Sequence, residues 1–231
     1  MSDQQRKIYQ SEGDRYQALI TREDYQGNIL RAIDETINVD RLDILDLGAG
    51  TGRLTLLLAA RAKFIRAFDA SPEMLRVCRQ RLVESGLRNW QVDVADHRQL
   101  PVPDHSADLV VSGWSVSYLA VWNQENGEAE LDKWFTEMKR VLRKDGTILL
   151  FESLGTGNET PIRLEHVEST YQWLDAHGFQ NKWIRTDYQF QSVDEAAEIA
   201  GFFFGPEMAD RILKRGSVIL PECTGVWWRN I

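Results

Sequence analysis

Apolar positions along the chain alternate between two rhythms. Short dense runs at Ile44–Leu47, Phe64–Asp69, Trp90–Val94, Ala107–Ser112 and Thr147–Glu152 read as strands. Between them the apolar residues fall three or four apart, as in helices. A leucine-rich helix is expected at about 52–62. Met74, Leu75, Cys78 and Leu82 form the buried stripe of the next, with Ser71 as its cap and Pro72 in its first turn. Leu131, Trp134, Phe135, Met138, Val141 and Leu142 mark a longer one, and Asp145-Gly146 turns the chain into the fifth strand. Strands alternating with helices in this way imply a parallel sheet with helices on both faces, a doubly wound α/β fold.

Both ends depart from that rhythm. The opening MSDQQRKIYQ is polar and is expected to fray. Thr21 with Asp24 resembles a capping box, and Tyr25, Ile29, Ala32, Ile33 and Ile37 follow at helical spacing, predicting a helix over 21–37. Beyond residue 153 the spacing predicts a helix over 164–177, a strand over 181–190, two helices over 192–204 and 206–215, and a last strand over 217–228. Two late strands separated by a helical pair fit an antiparallel edge on the sheet. The expected organisation is a single domain over 1–231: N-terminal helices at 1–38, a ligand-binding core at 40–153, and helices with the antiparallel edge at 154–231.

Composition narrows the possibilities. With 231 residues, 43% hydrophobic and 27% charged, the chain suits one core. A formal net charge of -8 repels phosphate backbones and anionic surfaces, so neither nucleic acid nor membrane is an expected partner. No run approaches the roughly 18 apolar residues of a membrane span. The start lacks a signal peptide's apolar core, so a cytoplasmic location is expected. The two cysteines, Cys78 and Cys223, read as reduced and structural. His97, His105, His166 and His177 show no metal-ligand spacing, and no metal is expected.

The chemistry concentrates in Leu42–Gly52, an apolar strand ending in a glycine-rich turn. Glycines there let bare backbone approach a ligand. A dinucleotide fingerprint would need glycine at position 53, which is Arg53. The chain has instead D-x-G-x-G-x-G, from Asp46 to Gly52. Seventeen residues past Gly52, Asp69 ends the second strand in FDASPEM. VADHRQLPVPDHSADLVV and KRVLRKDGTILLFE follow in order.

Together these motifs resemble the class I S-adenosylmethionine-dependent methyltransferases over roughly residues 40–153. The resemblance implies a mostly parallel seven-stranded sheet of order 3-2-1-4-5-7-6. It implies S-adenosylmethionine as cofactor and S-adenosylhomocysteine as product. The loop of Gly48, Ala49, Gly50, Thr51 and Gly52 would lie under methionine and ribose, with Asp46 attracting the ammonium directly or through water. Asp69, with Ala70 beside it, would accept the ribose hydroxyls, although it could also cap a helix. Met74 either packs on the adenine or belongs to the core. Asp96 would meet the adenine amino group and His97 the ring through its backbone N–H. Ser112, Gly113 and Trp114 would line the methionine end, and Asp108 reads as structural. Ala95 stands where the family often has glycine.

No universal catalytic residue carries over from the family. Position offers Ser117, Tyr118, Trp122, Glu152, Tyr16, Tyr25, Asn28 and Tyr188 as acceptor-pocket candidates, with Trp114 at the methyl end. Several of the eight tryptophans could form an aromatic box for a cationic amine, or simply fill the core. A small-molecule acceptor is expected, methylated at O, N or C: the chain is acidic, carries no nucleic-acid module, and adds helices that suit a closed pocket. Three rivals remain: a nicotinamide-dependent oxidoreductase, against which Arg53 and Asp96 speak; a non-catalytic S-adenosylmethionine binder acting through a partner; and a protein or RNA methyltransferase. Monomer and homodimer both stay open.

Overall fold

The computed structural model describes residues 3–123 and 125–231. Its central strand β1 (Asp43–Leu47) is buried along its whole length. It lies between β2 (Phe64–Asp69) and β4 (Ala107–Gly113), parallel to both. The strands β3 (Trp90–Val94) and β5 (Leu142–Thr156) extend the parallel set on either side. Along the far edge β9 (Glu222–Asn230) runs antiparallel to β5, and β6 (Gln180–Arg185) antiparallel to β9. The sheet order is β3-β2-β1-β4-β5-β9-β6. Since β9 is the seventh of these strands along the chain, this is the expected 3-2-1-4-5-7-6.

Strand alternation divides the core in two. Leu45, Leu47, Val110, Ile148 and Leu150 join one cluster, with residues of α7 (Gly127–Val141) and α8 (Glu168–Ala176). Ile44, Leu109, Val111, Leu149 and Phe151 join the other, beneath α3 (Asn28–Thr36), α4 (Arg53–Ala59) and α5 (Pro72–Glu84). At α5 the predicted cap holds: Met74 N donates to Ser71 Oγ at 3.2 Å, with Pro72 in the first turn.

The N-terminal segment differs from expectation. Asp3–Ser11 is a helix, α1, followed by α2 (Gly13–Ile20). Ile8 is buried, and Ser71 Oγ donates to the Tyr9 carbonyl at 2.5 Å, so the polar opening is held by tertiary contacts. The helix expected over 21–37 begins only at Asn28. Asp24 and Gly27 both have positive φ, 58° and 70°. The Asp24 carboxylate accepts from Asn28 N at 2.7 Å and Ile29 N at 3.0 Å, capping α3 after a turn instead of starting a helix.

The late strand expected over 181–190 is divided between β6 and a two-residue β7 (Tyr188–Gln189). β7 pairs antiparallel with β8 (Ile219–Leu220), forming a separate ribbon. The ribbon carries α9 (Val193–Phe204) and α10 (Pro206–Arg215), which share a third cluster with Leu19 of α2. Among the described residues no helix is long and apolar enough to cross a membrane.

Candidate active site

Strand order reverses between β1 and β4, which opens a crevice at their carboxyl ends. A cavity of about 720 Å³ lies there. The loops after β1, β2, β3 and β4 form its floor, and α1, α2 and the short helix α6 (Ser117–Val121) close over it.

The glycine loop forms one wall. Gly48 has φ 65°, and a Cβ there would lie 2.2 Å from Ser115 Oγ. Ala49 N donates to the Phe68 carbonyl at 3.0 Å, and Gly50 N to Asp69 Oδ2 at 2.9 Å. Asp69 Oδ1 accepts from Ser71 N at 2.7 Å. One carboxylate thus ties the loops after β1 and β2 together while facing the cavity with Ala70. Burial raises its pKa against those N–H donors.

A recess of about 30 Å³ lies beside the loop, lined in part by Asp46, Ala49, Thr51, Arg53, Gly113 and Trp114. Asp46 is 1% exposed, and burial pushes its carboxyl up to about 7 despite the Thr55 hydroxyl at 2.5 Å. Asp46 Oδ1 and Thr51 Oγ1 are buried and lack partners among the described residues. The Arg53 guanidinium lies 4.0 Å from the Trp114 ring centroid and pairs with Glu23 at 2.7 Å. Trp114 itself has φ 53°, an uncommon conformation for a bulky residue and typical of strained functional sites.

Met74, Ala95, Asp96 and His97 also line the cavity, with His97 beside Gly48. Arg98 bonds Asp96 and holds its carboxyl down at about 2, so it is ionised at neutral pH. Burial lowers the His97 imidazole to about 4, leaving it neutral. Its Nδ1 is sealed and lacks a partner among the described residues. Met74 is 1% exposed, as its core reading expects, and also lines the cavity.

The remaining wall comes from Arg6, Tyr9 and Gln10 of α1, Tyr16 of α2, and Tyr118, Leu119, Trp122 and Asn123 around α6. Tyr9 and Tyr118 hydroxyls lie 3.2 Å apart, and Tyr118 stacks on Trp122 at 5.1 Å. Sequence reading missed Arg6, Tyr9, Gln10, Ser115 and Asn123. The buried Ile8 within a polar decapeptide was the available signal for a docked first helix.

Several expected residues do not line the cavity. Ser112 donates to the Leu47 carbonyl at 2.8 Å and bonds Ser115, behind the wall. Gly52 packs against Cys78, whose Sγ would lie 2.7 Å from an added Cβ. Glu152 is not free to orient an acceptor: it accepts from Ser117 N at 3.0 Å and Ser117 Oγ at 2.9 Å, capping α6 from inside the core. Burial raises its pKa to about 7. Ser117 is consumed by the same pair. Tyr25 is 44% exposed, turned out by the bend at Asp24. Asn28 instead donates to the Arg185 carbonyl at 2.7 Å. Tyr188 is packed in the third cluster. Of the tryptophans, Trp114 and Trp122 line the cavity, while Trp134 and Trp173 pack in the core. Asp108 accepts from Asp43 N and pairs with Arg143, matching its structural reading.

Behind the recess lies a buried charge cluster. The Glu23 side chain is 2% exposed and pairs with Arg53, while Glu222 accepts from Ser153 Oγ at 2.6 Å. Burial, then the Glu23 charge, push Glu222 up to about 8. The folded chain therefore keeps a proton that the unfolded chain releases near pH 4.3. That stabilising contribution is complete at low pH and is lost as pH rises through about 8. Glu222→Gln is expected to raise the unfolding temperature more at pH 8.5 than at pH 5, because only the wild-type carboxyl must ionise or hold its proton against the higher pH. Scanning calorimetry at the two pH values tests this; equal shifts would refute it.

Comparison with known proteins fits this geometry. Residues 45–150 match a family model described as a methyltransferase domain. The chain is 28% identical over 200 residues to a malonyl-[acyl-carrier protein] O-methyltransferase of Marinomonas sp., covering 83% of this chain and 69% of that protein. It is 38% identical over 130 residues to the Geobacter sulfurreducens protein of the same name, covering 55% of this chain but only 44% of that one. In fold it is similar to a SAM-dependent methyltransferase from Aquifex aeolicus, with TM-score 0.59, 16% identity, and coverage of 94% and 97% of the two chains. The matched domain and the structural likeness together show a fold of the class I S-adenosylmethionine-dependent methyltransferase type.

Proposed function

We propose that this chain methylates a small-molecule acceptor, with S-adenosylmethionine as donor. The carrying observation is the convergence of the glycine loop, Asp69 and Asp96 on one cavity at the strand-order reversal. The adjoining recess fits an amino-acid tail, because it offers an acid and a guanidinium together. The unpartnered Asp46 oxygen suits the ammonium and Arg53 suits the carboxylate. Asp69 uses two of its roughly four lone-pair sites on backbone N–H groups, which leaves capacity for a ribose diol. Ionised Asp96 suits the adenine amino group, and Met74 one face of the ring.

When bound, S-adenosylmethionine supplies a methyl carbon activated for displacement by its sulfonium. This chain's task is then to align the acceptor and exclude water, worth roughly 7–11 kcal/mol. Burial raises the pKa of Tyr9, Tyr16 and Tyr118, so these phenols stay protonated. They serve as hydrogen-bond donors and walls, not as bases. The covering of the cavity by α1 and α2, with a net charge of -8, favours a small acceptor over nucleic acid.

Ligand binding tests the reading. S-adenosylhomocysteine at 100 times Kd should add about 2.7 kcal/mol. For a chain this size that is roughly 5–11 °C in unfolding temperature, whereas NADH should give none. The absence of any shift with the adenosyl ligand would overturn the cofactor assignment. A labelled methyl donor with an acceptor library then tests transfer. Arg53→Met should weaken S-adenosylhomocysteine by about tenfold or more, the loss of a charge-assisted contact. It should leave 5′-methylthioadenosine, which lacks the amino-acid tail, almost unchanged. Calorimetric titration of both ligands decides; equal losses would remove Arg53 from the tail site.

A further inference from the structure

The wall formed by α1 and α6 has a one-sided charge inventory. Its polar members are Arg6, Tyr9, Gln10, Tyr118 and Asn123, with Trp122 as the broad apolar face. None is a carboxylate. The two acids lining the cavity, Asp69 and Asp96, come from the loops after β2 and β3 and already accept from Gly50, Ser71 and Arg98. Of the two lining arginines, Arg98 is taken by Asp96 and Glu130. The Arg6 guanidinium stands 5.1 Å from the Trp122 ring centroid, and among the described side chains no carboxylate is ion-paired with it. Beside it the Tyr9 and Tyr118 hydroxyls, 3.2 Å apart, can share only one mutual hydrogen bond, so one O–H remains to donate elsewhere. Trp122 is 42% exposed, with Tyr118 stacked parallel behind it.

We propose that the methyl acceptor carries an anionic group, a carboxylate or a phosphate, that docks on Arg6 beside the Tyr9 and Tyr118 hydroxyls, with its flat or apolar body against Trp122. The proposal rests on the methyltransferase reading above and adds the acceptor's charge class to it. A guanidinium presents paired donors that match either oxyanion. A cationic amine would meet like charge at Arg6, and the described cavity-lining residues of α1 and α6 include no acid to offset it. The net charge of -8 gives no long-range attraction for an anion, so selectivity here is local and salt-sensitive.

The test uses the full chain saturated with S-adenosylhomocysteine and four probes of one body: benzoate, phenyl phosphate, benzyl alcohol and benzylamine. Titration calorimetry or ligand-observed NMR measures each affinity. At least one anion should bind about tenfold more tightly than the alcohol and the amine, the size of one charge-assisted hydrogen bond. Benzoate ahead of phenyl phosphate assigns a carboxylate site, and the reverse a phosphate site. Arg6→Gln should erase the preference while the unfolding temperature and S-adenosylhomocysteine affinity stay at wild-type values; rising salt should shrink it. Tightest binding of benzylamine, equal or absent binding of all four, or an anion preference that survives Arg6→Gln overturns the proposal. Failure of S-adenosylhomocysteine itself to bind is a separate result, and it removes the methyltransferase reading first.

Discussion

Asp69→Ala is expected to abolish measurable S-adenosylhomocysteine binding, and the loss should exceed that of any other single substitution named here. Hydrogen bonds to a charged group contribute about 1.5–3 kcal/mol each. Two ribose hydroxyls on one carboxylate therefore account for roughly 3–6 kcal/mol, a factor of about 10² to 10⁴. Alanine also strips Gly50 N and Ser71 N of their acceptor, so some stability is lost as well. Asp69→Asn separates the two effects. It keeps one carbonyl oxygen for a backbone N–H but turns its NH2 on the other, so it should lose less stability than the alanine variant, and its amide cannot accept from both hydroxyls. Titration calorimetry on both variants is the measurement. If Asp69→Asn is correctly folded and binds like wild type, Asp69 is a loop tie and not a ligand-binding group.

Gly48→Ala should be the most damaging small change to the fold. The position has φ 65°, and the added methyl would meet Ser115 Oγ at 2.2 Å and Ser115 Cβ at 2.4 Å. Left-handed backbone costs about 1–2 kcal/mol for an L-residue, and overpacking a further 1–3. The expected destabilisation is about 2–5 kcal/mol. Ser115 cannot simply yield, because its Oγ bonds Ser112 and the Leu47 carbonyl. Gly27→Ala is the matched control: φ is 70°, and nothing lies within 4 Å of an added Cβ. It should cost only about 1 kcal/mol. Urea unfolding of the two variants compares crowding plus strain with strain alone. Equal losses would show that the Gly48 loop moves aside freely.

Much of the cavity wall at the strand ends was legible before any coordinates. Asp46, Gly48, Gly50 and Asp69 sit at ends of dense apolar runs, and such runs mark strand termini whichever way the sheet is assembled. The ring of Asp96, His97 and Met74 also fell on one cavity, because the sheet brings the ends of β1, β2 and β3 side by side. The acceptor half was poorly legible. Ser117, Glu152, Tyr25, Asn28 and Tyr188 all stood at plausible positions along the chain and were turned away by specific contacts. Glu152 faces the α6 amide, and Asn28 faces the Arg185 carbonyl. Arg53 was noticed only as a missing glycine, yet its pairing with Glu23 sets it beside the recess.

The sequence by itself determined the strand and helix rhythm, the glycine loop and the acids at strand ends. These follow from local periodicity and short spacings, which need no knowledge of distant partners. Tertiary structure alone decided how α1 and α6 come to wall the cavity. Helix α1 is polar and too short to be stable alone, and becomes a wall only by burying Ile8 and bonding Ser71. Which of two neighbouring side chains faces a cavity depends on where an amide far along the chain lies. Arg6 meets Trp122 across more than a hundred residues, and no pattern within either segment encodes that encounter.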